Sequence, residues 1–139
     1  MRKRTKARES VLQILYQVDI TNVPINFALE RYWKERNRNP EVIEFANELA
    51  KGTSGHLAEI DKIISTHSEN WDIERMPIID RNIIRLATYE LLYMDDIPPK
   101  VTIDEAVELA NRFGSINSGK FVNGILDKIM MLGAKKGGE

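Results

Sequence analysis

The chain contains 139 residues, of which 42% are hydrophobic and 29% charged, and its formal net charge is −1. This length and balance predict one soluble globular domain, covering residues 1–139, with enough apolar residues for a core. Because there is no cysteine, disulfides, zinc–thiolate sites and thiol nucleophiles are excluded. No apolar stretch reaches the roughly 18–20 residues of a membrane span, and polar residues interrupt the stretch that follows the basic start, so we expect a cytoplasmic protein without a signal peptide.

Positive charge is concentrated at the N-terminus. Five of the 20 basic residues lie within the first eight positions, where there is no acidic residue: Arg2, Lys3, Arg4, Lys6 and Arg8. The rest of the chain is acidic. This distribution, an acidic body with a basic tip, suits an anionic partner.

Apolar residues recur at helical spacing through most of the chain, and no run shows the sustained alternation of a strand. The glycines at 52 and 55 are where the long third helix could kink. The fourth helix has apolar residues around much of its circumference, which predicts a central, buried position. The spacing predicts helices over residues 5–19, 24–36, 40–67, 77–94 and 102–113, and a last one that starts at Asn117 or Ser118.

Local signals set the predicted ends of the fifth helix. Thr102 and Glu105 have the spacing of a capping box, in which two side chains cap the first turn. Gly114 follows the last apolar position, as is usual at a helix end. We therefore predict an all-α fold of six or seven helices arranged as two three-helix bundles, about 1–70 and 71–133, which divide near Trp71.

Basic residues at the start of the first helix oppose its own dipole, at a cost of about 0.3–1 kcal/mol for each poorly screened cation. An anionic partner would offset that cost. On the polar side of this helix Lys6, Gln13 and Tyr16 fall on one stripe. A cation, an amide and an aromatic ring suit phosphate contact, base-edge hydrogen bonds and base stacking. The alternative interpretation is a solvated basic terminus without a ligand.

The segment from Gly114 to Lys120 has the spacing of a phosphate-binding loop, G-x-x-x-x-G-K. Phe121 stands where magnesium coordination needs Ser or Thr, and the segment follows a predicted helix instead of a strand, so we expect no nucleotide hydrolysis. Asn117, Ser118 and Lys120 could still hold an anion at the start of the last helix. An ordinary helix cap beside a solvent-exposed lysine is the other interpretation.

Catalysis and metal binding have no candidate residues. His56 and His67 are too far apart in sequence for a helical metal pair, and no carboxylate completes a ligand set with either. We therefore expect no enzymatic activity, no cofactor and no metal. Asp80, Arg81 and Arg85 could form internal ion pairs or a partner surface.

Four segments, taken together, resemble the NusB family of bacterial transcription antitermination factors. The likeness covers most of the chain, although it is weak between residues 22 and 70. The segments are KARESVLQILYQ at 6–17, DRNIIRLATYELLY at 80–93, IPPKVTIDEAVELANRFG at 97–114 and KFVNGILDKI at 120–129.

The resemblance implies two three-helix bundles and a role in transcription. It implies binding to boxA-type single-stranded RNA as a heterodimer with NusE, a protein of the small ribosomal subunit. That complex would join other Nus factors and RNA polymerase and suppress premature termination, notably in ribosomal RNA operons. The resemblance leaves open whether the free protein forms a homodimer.

The resemblance also implies site residues. The basic start and Tyr16 match one RNA-facing region, and Phe113, Asn117 and Lys120 match a second one, where Ser118 also lies. Asn117 stands where some relatives have an acid, which favours RNA because a carboxylate repels phosphate. Acidic Glu74 and Asp80 match positions implicated in NusE binding, although the neighbouring Arg75 departs from the acidic pattern of some relatives.

Two alternative functions remain at this point. A similar domain forms the N-terminal part of some ribosomal RNA cytosine methyltransferases. This chain has no room for their cofactor-binding domain and has no cysteine to attack the base, so that alternative is an RNA-binding module without the catalytic domain. The other is a helical module with no RNA role.

Overall fold

The computed structural model describes residues 2–69 and 72–137. Within that part of the chain the regular structure consists of seven α-helices and one short 3-10 turn, without a strand, which confirms the predicted all-α class. None of the helices described there combines the length and hydropathy that crossing a membrane requires. In chain order the helices are α1 (Lys3–Thr21), α2 (Ile25–Lys34), α3 (Pro40–Gly55), α4 (Leu57–His67), α5 (Ile78–Tyr93), α6 (Pro99–Phe113) and α7 (Ser118–Gly137), and the 3-10 turn is Ile73–Arg75.

Local chemistry explains several helix ends. Helix α1 ends at Asn22, whose left-handed backbone (φ 60°) directs its N–H to the carbonyl of Val18 at 2.8 Å; asparagine tolerates this conformation better than most residues. Helix α3 starts with Pro40, and the side chain of Asn39 accepts a hydrogen bond from the N–H of Glu41 at 2.8 Å. Both features are typical of a helix start.

The predicted start of α6 is wrong by about a turn. The helix begins at Pro99 instead of Thr102, because a proline fits the first turn, where its missing N–H would have no partner. The capping box therefore does not form. Thr102 lies in the interior and Glu105 is mostly buried, and both bind residues on other helices.

The predicted long third helix is two helices, which pack on different neighbours. The chain breaks at His56, between α3 and α4. Helix α4 then packs mainly on α5 and α7, whereas α3 packs on α1, α2 and α5. By these contacts α3 groups with α1 and α2, and α4 groups with α5–α7. Trp71 lies outside the described residues.

Helix α5 is central, as its sequence predicts. It contacts α1, α3, α4, α6 and α7, and Ile83, Ile84 and Leu86 are almost completely buried. Its approach to α3 requires a glycine, because a Cβ atom at Gly52 would lie 2.1 Å from the ring of Tyr89. The core therefore extends across both groups of helices.

Ion pairs join the C-terminal end of α1 to α5 and α4. The carboxylate of Asp19 accepts two hydrogen bonds from Arg81, at 2.7 and 2.9 Å, one from Asn82 at 3.0 Å and one from Arg85 at 3.1 Å. Arg85 also donates to both carboxylate oxygens of Asp61, at 2.9 and 3.0 Å. The interpretation of Arg81 and Arg85 as internal ion-pair partners is confirmed. Burial opposes ionisation of Asp19, but the hydrogen bonds and charges of its partners hold its pKa below the usual value.

This arrangement predicts a pH-dependent contribution of Asp19 to stability. Because the pKa of Asp19 is lowered by folding, its contribution is complete above the pKa of an unfolded aspartate and is lost as the pH falls through the lower folded value. At pH 7 we expect Asp19→Asn to reduce the free energy of unfolding by about 3 kcal/mol, since two arginines lose their shared carboxylate. The difference from wild type should shrink below about pH 4.

Urea unfolding followed by circular dichroism over a pH series measures this difference. Asp127→Asn is the matched control, because Asp127 is exposed on α7. A difference between wild type and Asp19→Asn that stays constant down to the lowest pH would contradict the role of the ionised carboxylate.

Candidate nucleic-acid interface

The N-terminal turns of α1 present four exposed cations. The side chains of Arg2, Lys3 and Arg4 are 84%, 54% and 53% exposed, and Lys6 is exposed as well. The guanidinium of Arg4 also lies 4.6 Å from the centre of the Phe45 ring. These residues form the basic tip that the sequence predicts.

Carboxylates from other elements approach this basic tip. Arg2 lies 3.5 Å from Glu105, Lys3 lies 3.1 Å from Glu41, and Arg4 lies 3.7 Å from Asp96. The sequence predicts an external anion as the counter-charge and does not reveal these carboxylates. The Lys3–Glu41 and Arg4–Asp96 pairs are exposed on both sides, and such pairs contribute about 0–1 kcal/mol, so a phosphate can replace these two carboxylates at little cost.

Arg8 is a correction to the predicted RNA surface. Only 3% of it is exposed, and its guanidinium donates to both oxygens of Glu90, at 2.7 and 2.8 Å, and to Glu105 at 3.2 Å. Burial alone would lower the pKa of Arg8, but its hydrogen bonds and charge attraction to Glu90 and Glu105 raise it instead. The group is a permanent internal cation and has no exposed face for a phosphate.

Two threonines complete this buried network. Thr102 donates to Glu90 at 2.9 Å and Thr5 donates to Glu105 at 2.6 Å. The network thus joins α1, α5 and α6. It explains why Thr102 and Glu105 have a spacing that resembles a helix cap: they lie one turn apart on the face of α6 that meets Arg8.

The predicted polar stripe of α1 lies on the surface, between two grooves. Gln13 is exposed, and its side-chain oxygen accepts a hydrogen bond from the hydroxyl of Tyr32 on α2 at 2.8 Å. The bond leaves the amide N–H groups of Gln13 available as donors. Gln13 lines both grooves, so the stripe connects them.

One groove, of about 920 Å³, runs between α1 and α2 and is called here the α1–α2 groove. Tyr16 and Phe113 both line it and are 36% and 40% exposed. Arg112 forms an ion pair with Glu9, which ties the end of α6 to α1. The fold therefore brings Phe113, almost a hundred residues away in sequence, to the same face as the stripe.

The second groove, of about 640 Å³, is called here the basic groove. It lies between the first half of α1 and the loop that joins α2 to α3. Its basic lining residues are Lys3, Lys6, Arg36 and Arg38. The last two fall in the part of the sequence where the family likeness is weak, and they are not among the predicted RNA-binding residues.

Of the three residues predicted to bind a ligand at the start of α7, two are exposed and one is buried. Asn117 and Lys120 are exposed, although neither lines the two grooves. Ser118 is a correction, since it is only 1% exposed. Its hydroxyl donates to Asp80 at 2.7 Å and accepts from the N–H of Ser115 at 2.9 Å. Ser118 holds the turn between α6 and α7 and has no free group for a ligand.

Packing explains the glycines of the segment that resembles a phosphate-binding loop. A Cβ atom at Gly114 would lie 2.4 Å from the hydroxyl of Ser118, and one at Gly119 would lie 2.3 Å from the side chain of Asn111. The segment joins two helices, α6 and α7, and no strand precedes it. These glycines therefore serve close helix packing.

The two predicted partner residues have different environments. Glu74 is exposed on the 3-10 turn, which Arg81 supports by donating to the backbone carbonyls of residues 73 and 74. Asp80 is only 3% exposed and accepts from Ser118. Asp80 is thus a correction, because a buried carboxylate bound inside the fold cannot contact a partner.

Exposed cations, an amide and two partly exposed aromatic rings on one face are features of an all-helical nucleic-acid-binding module. Comparison with known proteins identifies the family. The chain belongs to the NusB family, whose model matches residues 5–131.

Relatives and solved structures agree with that assignment. The transcription antitermination protein NusB of Myxococcus xanthus is 45% identical over 133 residues, which cover 93% of this chain and 95% of the relative. A structure of T. maritima NusB is 43% identical, with a TM-score of 0.86 and coverage of 92% of this chain and 90% of that one. A structure of the antitermination factors NusB and NusE in complex with double-stranded RNA contains a chain that is 29% identical, with a TM-score of 0.87 and coverage of 95% and 98%.

The buried network predicts non-additive effects of substitution at Arg8 and Glu90. Arg8→Met leaves the carboxylate of Glu90 buried without its cation, which should reduce the free energy of unfolding by about 3–5 kcal/mol. In Arg8→Met/Glu90→Gln the buried charge is gone and the amide oxygen still accepts from Thr102. We expect the double variant to be more stable than Arg8→Met alone, as measured by urea unfolding. Equal or lower stability of the double variant would contradict the pairing.

The different environments of Asp80 and Glu74 predict that charge reversal lowers stability strongly at Asp80 and hardly changes it at Glu74. Asp80→Lys should reduce the free energy of unfolding by about 3 kcal/mol or more, because it buries a cation and breaks the bond to Ser118. Glu74→Lys is the matched control and should change it by less than about 0.5 kcal/mol, as is usual for an exposed substitution. Thermal unfolding of both variants decides the matter. A fully stable Asp80→Lys would contradict the burial of this carboxylate.

Proposed function

We propose that this protein is an RNA-binding transcription antitermination factor. In this proposal it binds boxA-type single-stranded RNA together with NusE, the small-subunit ribosomal protein, and suppresses premature termination, notably in ribosomal RNA operons. The observation that carries the proposal is the pair of adjoining grooves that combines Lys3 and Lys6 with Gln13, Tyr16 and Phe113. Membership of the NusB family supports it.

The RNA contact follows from the chemistry of that face. Arg2, Lys3 and Lys6 offer charged donors to backbone phosphates. Gln13 offers amide N–H groups to a base edge, and Tyr16 and Phe113 offer rings on which unpaired bases can stack. Phosphate binding exchanges an exposed carboxylate neighbour such as Glu41 for a phosphate, and the released counterions favour the complex.

Asn117 and Lys120 form a second contact in the proposal. They lie at the start of α7, where the free N–H groups and the positive end of the helix dipole favour an anion. An amide at position 117 adds no second negative charge to that end, where Ser118 already binds the Asp80 carboxylate. The RNA would therefore run from α1 past the end of α6 to α7.

The partner surface in the proposal includes Glu74 and excludes Asp80. Glu74 offers an exposed carboxylate to basic groups of NusE, and the complex would join other Nus factors and RNA polymerase in the cytoplasm. The solved structure of NusB and NusE in complex with double-stranded RNA supports the pairing with NusE. The protein would act as a non-catalytic adaptor, so its RNA contact needs affinity and register but no reacting group.

Salt-dependent binding tests the RNA contact. Replacing Arg2, Lys3 and Lys6 by Gln should reduce the magnitude of the slope of log K against log salt by about 2, since each phosphate contact on a single strand contributes about 0.7. Tyr16→Ala should weaken binding by about 1–3 kcal/mol with little change in slope, because stacking involves no ion release. The probe is a boxA-type RNA oligonucleotide, measured by anisotropy with and without NusE.

The matched control replaces Lys51, Lys62 and Lys128 by Gln, which removes the same charge from exposed positions away from both grooves. The control should retain the wild-type slope. If both triple variants lower the slope equally, the effect is one of net charge and the proposed contact is wrong.

A further inference from the structure

We propose that the basic groove is a second RNA-backbone site, in which Arg36 and Arg38 of the α2–α3 loop bind phosphates of the strand that extends beyond α1. The inference rests on the proposed function, because the same RNA would occupy both surfaces. It adds a binding element from a part of the chain where the sequence shows only a weak family likeness.

The two grooves differ in the net charge of the residues that line them, and this difference predicts which groove attracts the RNA backbone. The basic groove is lined by Lys3, Lys6, Arg36 and Arg38 and by one carboxylate, Glu9. Glu9 is already paired with an arginine of α6. The net charge of this lining is therefore strongly positive.

The adjoining α1–α2 groove gives the internal comparison. Three basic and three acidic residues line it: Arg31, Lys34, Arg36, Glu9, Glu30 and Glu35. Such a balanced lining offers an extended polyanion no net attraction, whereas the basic groove attracts one along its length. The charge contrast assigns the RNA backbone to the basic groove.

Arg36 is held in place before any ligand binds. Its guanidinium lies 3.8 Å from the centre of the Tyr32 ring, and one N–H donates to the backbone carbonyl of Tyr32 at 2.9 Å. Tyr32 is in turn bound to Gln13 on α1. Among the described residues no other acceptor binds this guanidinium, so most of its five N–H donors face the groove or solvent.

The loop is anchored at its other end as well. The side chain of Asn39 caps α3 by accepting from the N–H of Glu41, and Pro40 fixes the first turn of that helix. Arg38 lies just before this anchor and is exposed. A loop fixed on both sides of Arg36 and Arg38 presents them with little loss of entropy on binding.

Continuity with α1 favours RNA over an acidic protein segment. Lys3, Lys6 and Gln13 line the basic groove and are also the residues proposed to contact RNA on α1. A strand bound along α1 therefore reaches Arg36 and Arg38 without crossing another surface. An acidic peptide would have to compete with that strand for the same lysines.

The test compares Arg36→Gln/Arg38→Gln with wild type on two single-stranded RNAs, a boxA-type element alone and the same element extended by about ten nucleotides at both ends. On the extended RNA the variant should reduce the magnitude of the slope of log K against log salt by about 1.4. If the variant and wild type bind equally at 1 M salt, this difference makes the variant bind about 25-fold more weakly than wild type at 0.1 M salt. On the short RNA the change should be smaller. Arg36→Lys/Arg38→Lys, which keeps the charge, should retain most of the slope.

Arg31→Gln/Lys34→Gln is the matched control, because it removes two cations from α2 that line the balanced groove only. Circular dichroism and unfolding of each variant confirm that the fold is intact. An unchanged slope for Arg36→Gln/Arg38→Gln on the extended RNA, or an equal loss in the control, would overturn the inference. Loss of NusE binding without loss of RNA binding would overturn it as well.

Failure of the proposed function gives a different result. In that case wild type binds neither RNA in a salt-dependent manner, and the α1 triple variant has no effect. If instead the α1 triple variant lowers the slope and the loop variant does not, the function stands and only the second site is wrong.

Discussion

The buried guanidinium of Arg8 is the interaction on which the orientation of α1 depends. A charge in the interior must be paired, because an unpaired one costs several kcal/mol. Here the pairing groups come from two other helices: Glu90 on α5 and Glu105 on α6. Any rotation of α1 about its axis would separate Arg8 from both carboxylates. The direction in which Lys6 and Gln13 project is therefore fixed from inside the fold.

The ion pairs of Asp19 constrain the other end of the same helix. Arg81 and Arg85 hold that carboxylate against α5, about three helical turns from Arg8. With both ends of α1 bound to α5, the surface between them has a defined geometry before RNA binds. A preorganised surface loses less entropy on association than a mobile one. The helix that carries most of the proposed RNA contacts is thus bound to α5 by ion pairs near both of its ends.

Sequence periodicity predicted most of the helices and the central position of α5, because those features depend on local spacing, but it joined α3 and α4 into one helix. It failed where a side chain has its partner far along the chain. Arg8 looked like one member of a solvated basic run, yet Glu90 is 82 residues away. The spacing of Thr102 and Glu105 fits a helix cap and a buried network equally well, and only the packing of α1 against α6 distinguishes them. The sequence did contain one signal of this pair. Glu90 lies inside a helix that is predicted to be buried, and a buried carboxylate requires a cation as its partner.

The same reasoning explains the other differences. Asp80 was assigned to a partner surface by likeness alone, and its contact with Ser118 spans 38 residues. Arg36 and Arg38 were not among the predicted site residues, because they lie where the family likeness is weak. What distinguishes them is the ring of Tyr32 under one guanidinium and the lysines of α1 across the groove. Tyr32 is only four residues before Arg36, a spacing that the sequence does show, whereas the position of the lysines depends on tertiary packing.

Burial divides the arginine-rich start into two kinds of contact. Lys3 and Arg4 have exposed carboxylate neighbours, and such pairs contribute so little that a phosphate can replace the carboxylate. Arg8 has strong, buried partners that no ligand can reach. The carboxylates at the tip therefore neutralise α1 while no RNA is bound, and the helix dipole opposes fewer free charges. A protein with a net charge near zero can in this way keep an exchangeable basic surface, because its permanent ion pairs are inside and its replaceable ones are outside.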